Sequence, residues 1–134
     1  AWGSTQPQLG GLYRIRKVDQ PMVIPVGIAA TTTGMKLTFT DKLDAKAVQK
    51  ISSYSVKTWD LIRSRKYGSK HHNEQTLQVT KAELDASGKT INLTIPAIQP
   101  TWGMEITYKV KDSRGIEREG LVQNTIHQLG SKTP

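Results

Sequence analysis

Cysteine is absent from the 134 residues. That excludes disulfides, thiolate metal sites, cysteine nucleophiles and covalently attached c-type haem on this chain. It leaves the compartment open, because secreted β-sandwiches can fold without disulfides. Aromatic residues make up only 6% of the chain, yet three of them are Trp. In a small domain such residues go to the core or to a binding surface. Acids are also few: 11 Asp and Glu stand against 19 Lys and Arg, a net charge of +8. No apolar run approaches the roughly 18 residues of a membrane-spanning helix, so no membrane insertion is expected. No signal-peptide pattern is visible, and repeats, heptads and long amphipathic helices are missing. The chain opens Ala1-Trp2-Gly3-Ser4-Thr5 without Met and reads as a processed or excised piece of a longer protein.

What is present is alternation. A length of 134 residues with 36% hydrophobic content fits one domain with a real core. Gly11-Leu12-Tyr13-Arg14-Ile15-Arg16 alternates and predicts a strand. An apolar crossing bracketed by Pro21 and Pro25 continues through Val26, Ile28 and Ala30, and Thr33-Gly34 marks a turn. Leu37 and Phe39 then point one way and Lys36, Thr38 and Thr40 the other. Asp41 shapes the next turn, and Asp44 is placed to N-cap a short helix through Val48. Tyr54, Val56 and Thr58 alternate with Ser55, Lys57 and Trp59, which puts Trp59 on the face opposite the apolar one. Leu61 to Gln75 is polar and basic and reads as a long loop, a common seat of function. A strand begins over Thr76–Val79, Ser87-Gly88 turns, and Ile91, Leu93 and Ile95 line an inner face. Pro96 to Pro100 is a crossover; Met104, Ile106, Tyr108 and Val110 recur at period two; Ser113-Arg114-Gly115 turns into a last strand over 117–127. This spacing predicts an all-β, immunoglobulin-like β-sandwich of seven to eight strands.

Two resemblances follow from these segments. Leu37-Thr38-Phe39-Thr40-Asp41-Lys42-Leu43-Asp44, Tyr54-Ser55-Val56, Asp85 to Leu93, and Tyr108-Lys109-Val110-Lys111-Asp112-Ser113-Arg114-Gly115 resemble bacterial immunoglobulin-like domains over most of residues 26–126. Gly11 to Arg16, Pro25-Val26-Gly27, Tyr54 to Trp59, Tyr67-Gly68-Ser69 and Asn124-Thr125-Ile126-His127 together resemble a C-terminal region of large secreted bacterial proteins. Those proteins carry a β-propeller like that of quinone-dependent sugar dehydrogenases, often with a c-type cytochrome domain. The resemblance implies that residues 1–21 are a linker or the closing strand of an upstream propeller. Residues 22–128 would be the appended sandwich and 129–134 a tail. It implies a periplasmic or secreted location. No Cys-x-x-Cys-His is present and the propeller is not on this chain, so no haem, quinone or calcium site is carried over, and no cofactor is expected.

Catalysis is not expected either. A hydrolytic triad needs a framed nucleophile, and no Gly-x-Ser-x-Gly elbow surrounds any Ser. Paired carboxylates for glycoside hydrolysis are equally unframed. Binding remains. Sugar rings stack on exposed aromatics, so Trp59, Tyr67 and Trp102 are candidates, with Arg63, His71, Arg65 and Asn73 to fix hydroxyl or acidic groups. The competing reading places Trp59 in the core and Trp102 as a plug at an open end. A third reading is copper on His71, His72, His127 and Met104, against which core packing is the default role of Met104. The basic cluster Arg63, Arg65, Lys66 and Lys70 has no nucleic-acid motif around it, so nucleic acid is not an expected partner. The expected partners are a polysaccharide or oligosaccharide, or an acidic glycan in particular, and the upstream propeller domain. The expected function is that of a non-catalytic accessory domain that binds carbohydrate, docks on a propeller-type oxidoreductase or, third, holds copper.

Overall fold

A computed structural model describes residues 14–16, 22–65 and 68–130. The strands are β1 (Pro25–Thr31), β2 (Gly34–Phe39), β3 (Tyr54–Leu61), β4 (His71–Leu77), β5 (Lys81–Leu84), β6 (Thr90–Thr94), β7 (Thr101–Lys111) and β8 (Glu117–Ile126). One short helix, α1 (Ala45–Val48), lies between β2 and β3. The strands form two four-stranded sheets, ordered β1-β2-β6-β5 and β4-β3-β7-β8, with antiparallel pairing throughout. Lettered A, B, C, C′, D, E, F and G, they read A-B-E-D against C′-C-F-G. That is the immunoglobulin-like arrangement of an all-β sandwich.

The period-two rows meet between the sheets. Met35, Leu37 and Phe39 of β2, Ile91 and Leu93 of β6, and Met104, Ile106, Tyr108 and Val110 of β7 are all buried in one core. Each such side chain, removed from water, stabilises by about 1.5–3 kcal/mol. Phe39 meets Tyr108 edge to face, with ring centroids 5.3 Å apart. Tyr54 donates its hydroxyl to the Val48 carbonyl at 2.8 Å, which ties α1 to the start of β3, and burial pushes that hydroxyl's pKa up. Asp44 caps α1 by accepting from the Ala47 N–H at 2.7 Å. After β8 the chain returns to β1, where Gly130 donates to the Ala30 carbonyl at 3.0 Å and accepts from the Thr32 N–H at 3.2 Å.

Three expectations are corrected here. Arg14, Ile15 and Arg16 form no strand and are exposed, and the other residues of that segment lie outside the described ones. The loop after β3 is shorter than its polarity implied, because β4 already begins at His71. The polar face of an edge strand has the composition of a loop, and backbone pairing with β3 is invisible in it. The strand starting near Thr76 is in fact the end of β4, after which residues 78–80 carry the chain across to β5 in the other sheet.

Candidate binding surface

The two halves of the surface come together because β3 lies between β4 and β7. Trp59 pairs with Gly103, and Leu61 pairs with His71. One end of this sheet therefore gathers the close of β3, the start of β4, the start of β7 at Thr101 and Trp102, and the end of β8. The connection from β3 to β4 rises from the same end. Residues 61–73 contain no Asp or Glu, and hold Arg63, Arg65, Lys66, Lys70, His71 and His72. Arg63, Arg65 and Lys70 are exposed.

Trp59 is on the outer face of its sheet, as the alternation predicts, but it is not an open platform. Its relative exposure is 8%. On one side its indole rests against the backbone of Gly103, where a Cβ would lie 2.2 Å from Cε2 and 2.3 Å from Nε1. The imidazole of His71 stacks on it with centroids 4.0 Å apart and planes at 13°. Trp59 belongs neither to an exposed aromatic row nor to the inter-sheet core.

A β-bulge builds this stack. The pairing of β3 with β4 shifts register between Thr58 and Asp60, so that Asn73 and Glu74 together oppose Trp59. Asn73 takes φ 51°, a left-handed conformation that Asn tolerates better than most residues. Its Nδ2 donates to Asp60 Oδ2 at 2.9 Å, which locks the bulge. Residues three apart on a regular strand point to opposite faces. The extra residue re-aims the chain, so that His71 and Glu74 share the outer face beside Trp59. Glu74 meets Lys57 Nζ at 3.2 Å and His71 Nδ1 at 3.4 Å. These contacts, Lys57 first and then His71, hold the Glu74 carboxyl below its usual range.

Trp102 is the open aromatic, at 59% exposure. A register shift between Thr101 and Met104 frees it from the regular ladder. Thr101 Oγ1 donates to the carbonyls of Trp59 and Gly103, at 3.3 and 3.1 Å, and Thr125 Oγ1 donates to that of Trp102 at 2.8 Å. His127 stands edge-on to the indole, with centroids 6.5 Å apart. Pro100, Thr125, Ile126 and His127 complete a shallow hollow of about 210 Å³ beside it. Tyr67 lies outside the described residues. His127, Thr125, Gly103 and the Asn73–Glu74 bulge were missed as neighbours of the aromatics. The Trp102-Gly103 dipeptide was the available sign of a close backbone approach.

The copper ligands do not converge. Met104 is fully buried in the core. His71 and His127 belong to opposite edges of the sheet, three strand spacings or roughly 14 Å apart. Among the described residues no three His, Cys, Asp or Glu side chains cluster as metal ligands. A groove of about 640 Å³ lies elsewhere, with Lys50, Ser55, Thr107, Lys109 and Leu121 in its walls.

Replacing Gly103 with Ala should drive a methyl into the Trp59 ring. We expect a loss of about 1–3 kcal/mol in chemical denaturation, with a red shift of Trp emission as the indole leaves its seat. Unchanged emission and stability would mean that the ring is not held there. No protein-family model matches the chain, and no curated protein matches it.

Proposed function

We propose that this sandwich is a non-catalytic accessory module that binds polysaccharide, acidic chains in particular, within an extracytoplasmic multidomain protein. The observation that carries this is the meeting of an exposed Trp102 with an acid-free basic segment at one end of one sheet. Trp102 offers a flat apolar face to a sugar ring, and Thr125 and His127 stand beside it. Arg63 and Arg65 on the neighbouring connection supply charge-assisted hydrogen bonds to carboxylate or sulfate. Such a module raises the effective concentration of substrate near an attached enzyme without chemistry of its own.

A second reading, docking on an upstream propeller-type domain, is favoured by a different observation. Met22, Ile24, Val26 and Ile28 are all exposed along and just before β1, where Pro25, Val26, Gly27, Ile28 and Val122 line a cleft of about 200 Å³ at the open edge of the sandwich.

The test is affinity electrophoresis against neutral and acidic polysaccharides, with Trp fluorescence as a second readout. Trp102→Ala should weaken retention at least tenfold, or about 1.4 kcal/mol. Arg63→Ala should weaken it mainly at low salt, because exposed charges are screened. Retention that survives Trp102→Ala unchanged would remove this surface from the binding site.

A further inference from the structure

We infer that His71 is a displaceable cap over Trp59, and that a ligand sugar ring takes its place on the indole. The inference rests on the polysaccharide reading and extends the surface from one aromatic platform to two. Its first ground is the asymmetry between the stacked rings. Trp59 is seated against the Gly103 backbone and is nearly inaccessible, whereas the His71 side chain is 47% exposed. The indole is the fixed partner and the imidazole the free one.

The second ground is how lightly the imidazole is held. Among the described residues its polar contact is to Glu74 at 3.4 Å, longer than the usual 2.7–3.2 Å of a hydrogen bond. Glu74 keeps the Lys57 ammonium at 3.2 Å when the ring leaves, so no carboxylate is left unpaired. His71 is also the first residue of β4, on the outer edge of its sheet and directly after the exposed segment 68–70. A rotation of its side chain disturbs no strand beyond it.

The third ground is the shape of the occupied space. A ring lying parallel to the indole at 4.0 Å stands where a pyranose ring stacks on an aromatic face. Displacing it uncovers a flat apolar surface next to Gly103, which directly follows Trp102 in β7. Lys57, two residues before Trp59, is engaged by Glu74 at 3.2 Å. Lys70, beside His71, and Arg63, four residues after Trp59, are exposed cations, so the occupant is a pyranose whose carboxylate or sulfate points toward them and away from Glu74. The released imidazole can then hydrogen-bond its hydroxyls from the rim.

The experiment compares the full chain with His71→Ala, in a background where Trp2 and Trp102 are Phe so that emission reports Trp59 alone. Acrylamide quenching should rise about two- to threefold in His71→Ala; no rise would overturn the cap. With both other Trp residues retained, affinity for polygalacturonate should tighten about three- to tenfold, since the ligand no longer competes with the imidazole. An unchanged or weaker affinity, with native near-UV circular dichroism, would overturn displacement. In a Trp59→Leu background the same His71→Ala change should have no effect on affinity; an equal gain there would place the action of His71 elsewhere. If the wild-type chain binds none of a panel of acidic and neutral polysaccharides, the polysaccharide reading falls and the sugar occupant with it. The quenching arm judges the cap separately.

Discussion

Gly34→Ala should abolish most of the stability of this domain. Gly34 opens β2 and pairs with Thr31 of β1 on one side and Thr94 of β6 on the other. A Cβ built there would lie 1.8 Å from the Leu93 carbonyl oxygen and 2.9 Å from the Leu93 carbonyl carbon. Both obstacles are backbone, so no rotamer change relieves them. The alternative is to part β2 from β6, in the middle of a sheet whose inner face carries Met35, Leu37, Ile91 and Leu93. A clash of this kind belongs to the small class of substitutions that cost about 4 kcal/mol or more, against a total of roughly 5–15 kcal/mol for a domain. The expected fall in Tm is about 15 °C or more. Gly115→Ala is the control. Gly115 also has a positive φ, 80°, but nothing lies within 4 Å of its Cβ position, so only the left-handed backbone is penalised, by about 1–2 kcal/mol. Thermal melts of the two variants should therefore separate widely. Similar melting temperatures would mean that β2 and β6 do not approach as closely as described.

The contrast between those glycines also shows what a sequence can carry. Ser113-Arg114-Gly115 was legible as a turn because a turn is local and its residues advertise it. Thr33-Gly34 was legible as a turn too, but the reason Gly stands at 34 is the carbonyl of Leu93, 59 positions away. Period two worked wherever one face is buried: Leu37 and Phe39, Ile91 and Leu93, and Met104 through Val110 are all core. It failed on β4, whose residues 71–76 are exposed or only half-buried, because a strand with no buried face has no apolar rhythm. Arg14 to Arg16, the described half of the segment Gly11 to Arg16, shows the opposite case. Alternation was present, yet among the described residues no strand includes Arg14, Ile15 or Arg16.

The candidate surface was legible one strand at a time. The side of the sheet on which Trp59 sits followed from parity with Tyr54 and Val56. Its burial did not, because that depends on a Gly of β7 and a His of β4. The stack of His71 on Trp59 also needs the bulge at Asn73, which shifts parity by one residue. A parity argument through an unseen bulge puts His71 and Glu74 on opposite faces; the bulge puts them on the same one. The neighbourhood of Trp102 with the basic segment required the strand order, since β3 and β7 are far apart in the chain and adjacent in the sheet.

The second large effect is expected at Asp112, at the tip of the β7–β8 hairpin. Its side chain is buried and, among the described residues, accepts the five hydrogen bonds that follow. The Arg114 and Ile116 N–H groups donate to Oδ1 at 2.9 and 3.0 Å. Arg114 Nη2, Arg118 Nη2 and Arg118 Nε donate to Oδ2 at 2.7, 2.9 and 3.2 Å. Burial alone would raise the pKa of this carboxyl. The guanidinium of Arg118, that of Arg114 and the two backbone N–H groups outweigh it and hold the group far below the usual carboxylate range. Removing the carboxylate in Asp112→Ala leaves two guanidinium groups facing each other and takes the Asp112 acceptor from two N–H groups, beside the bridge that Asp112 makes with Leu43. The Tm at pH 7 should fall on the order of 10 °C. Asp112→Asn should fall nearly as far, because an amide keeps one acceptor oxygen and turns a donor toward the remaining donors. The pH dependence separates this from a mere packing loss. The folded carboxylate binds its proton less readily than the unfolded one, so its contribution is complete above the unfolded pKa near 4 and is lost as pH falls toward the much lower folded value. Wild type and Asp112→Ala should therefore approach a common Tm as pH drops from about 4 towards 2. A gap that stays constant across that range would show that Asp112 stabilises the hairpin through its shape and not through its charge.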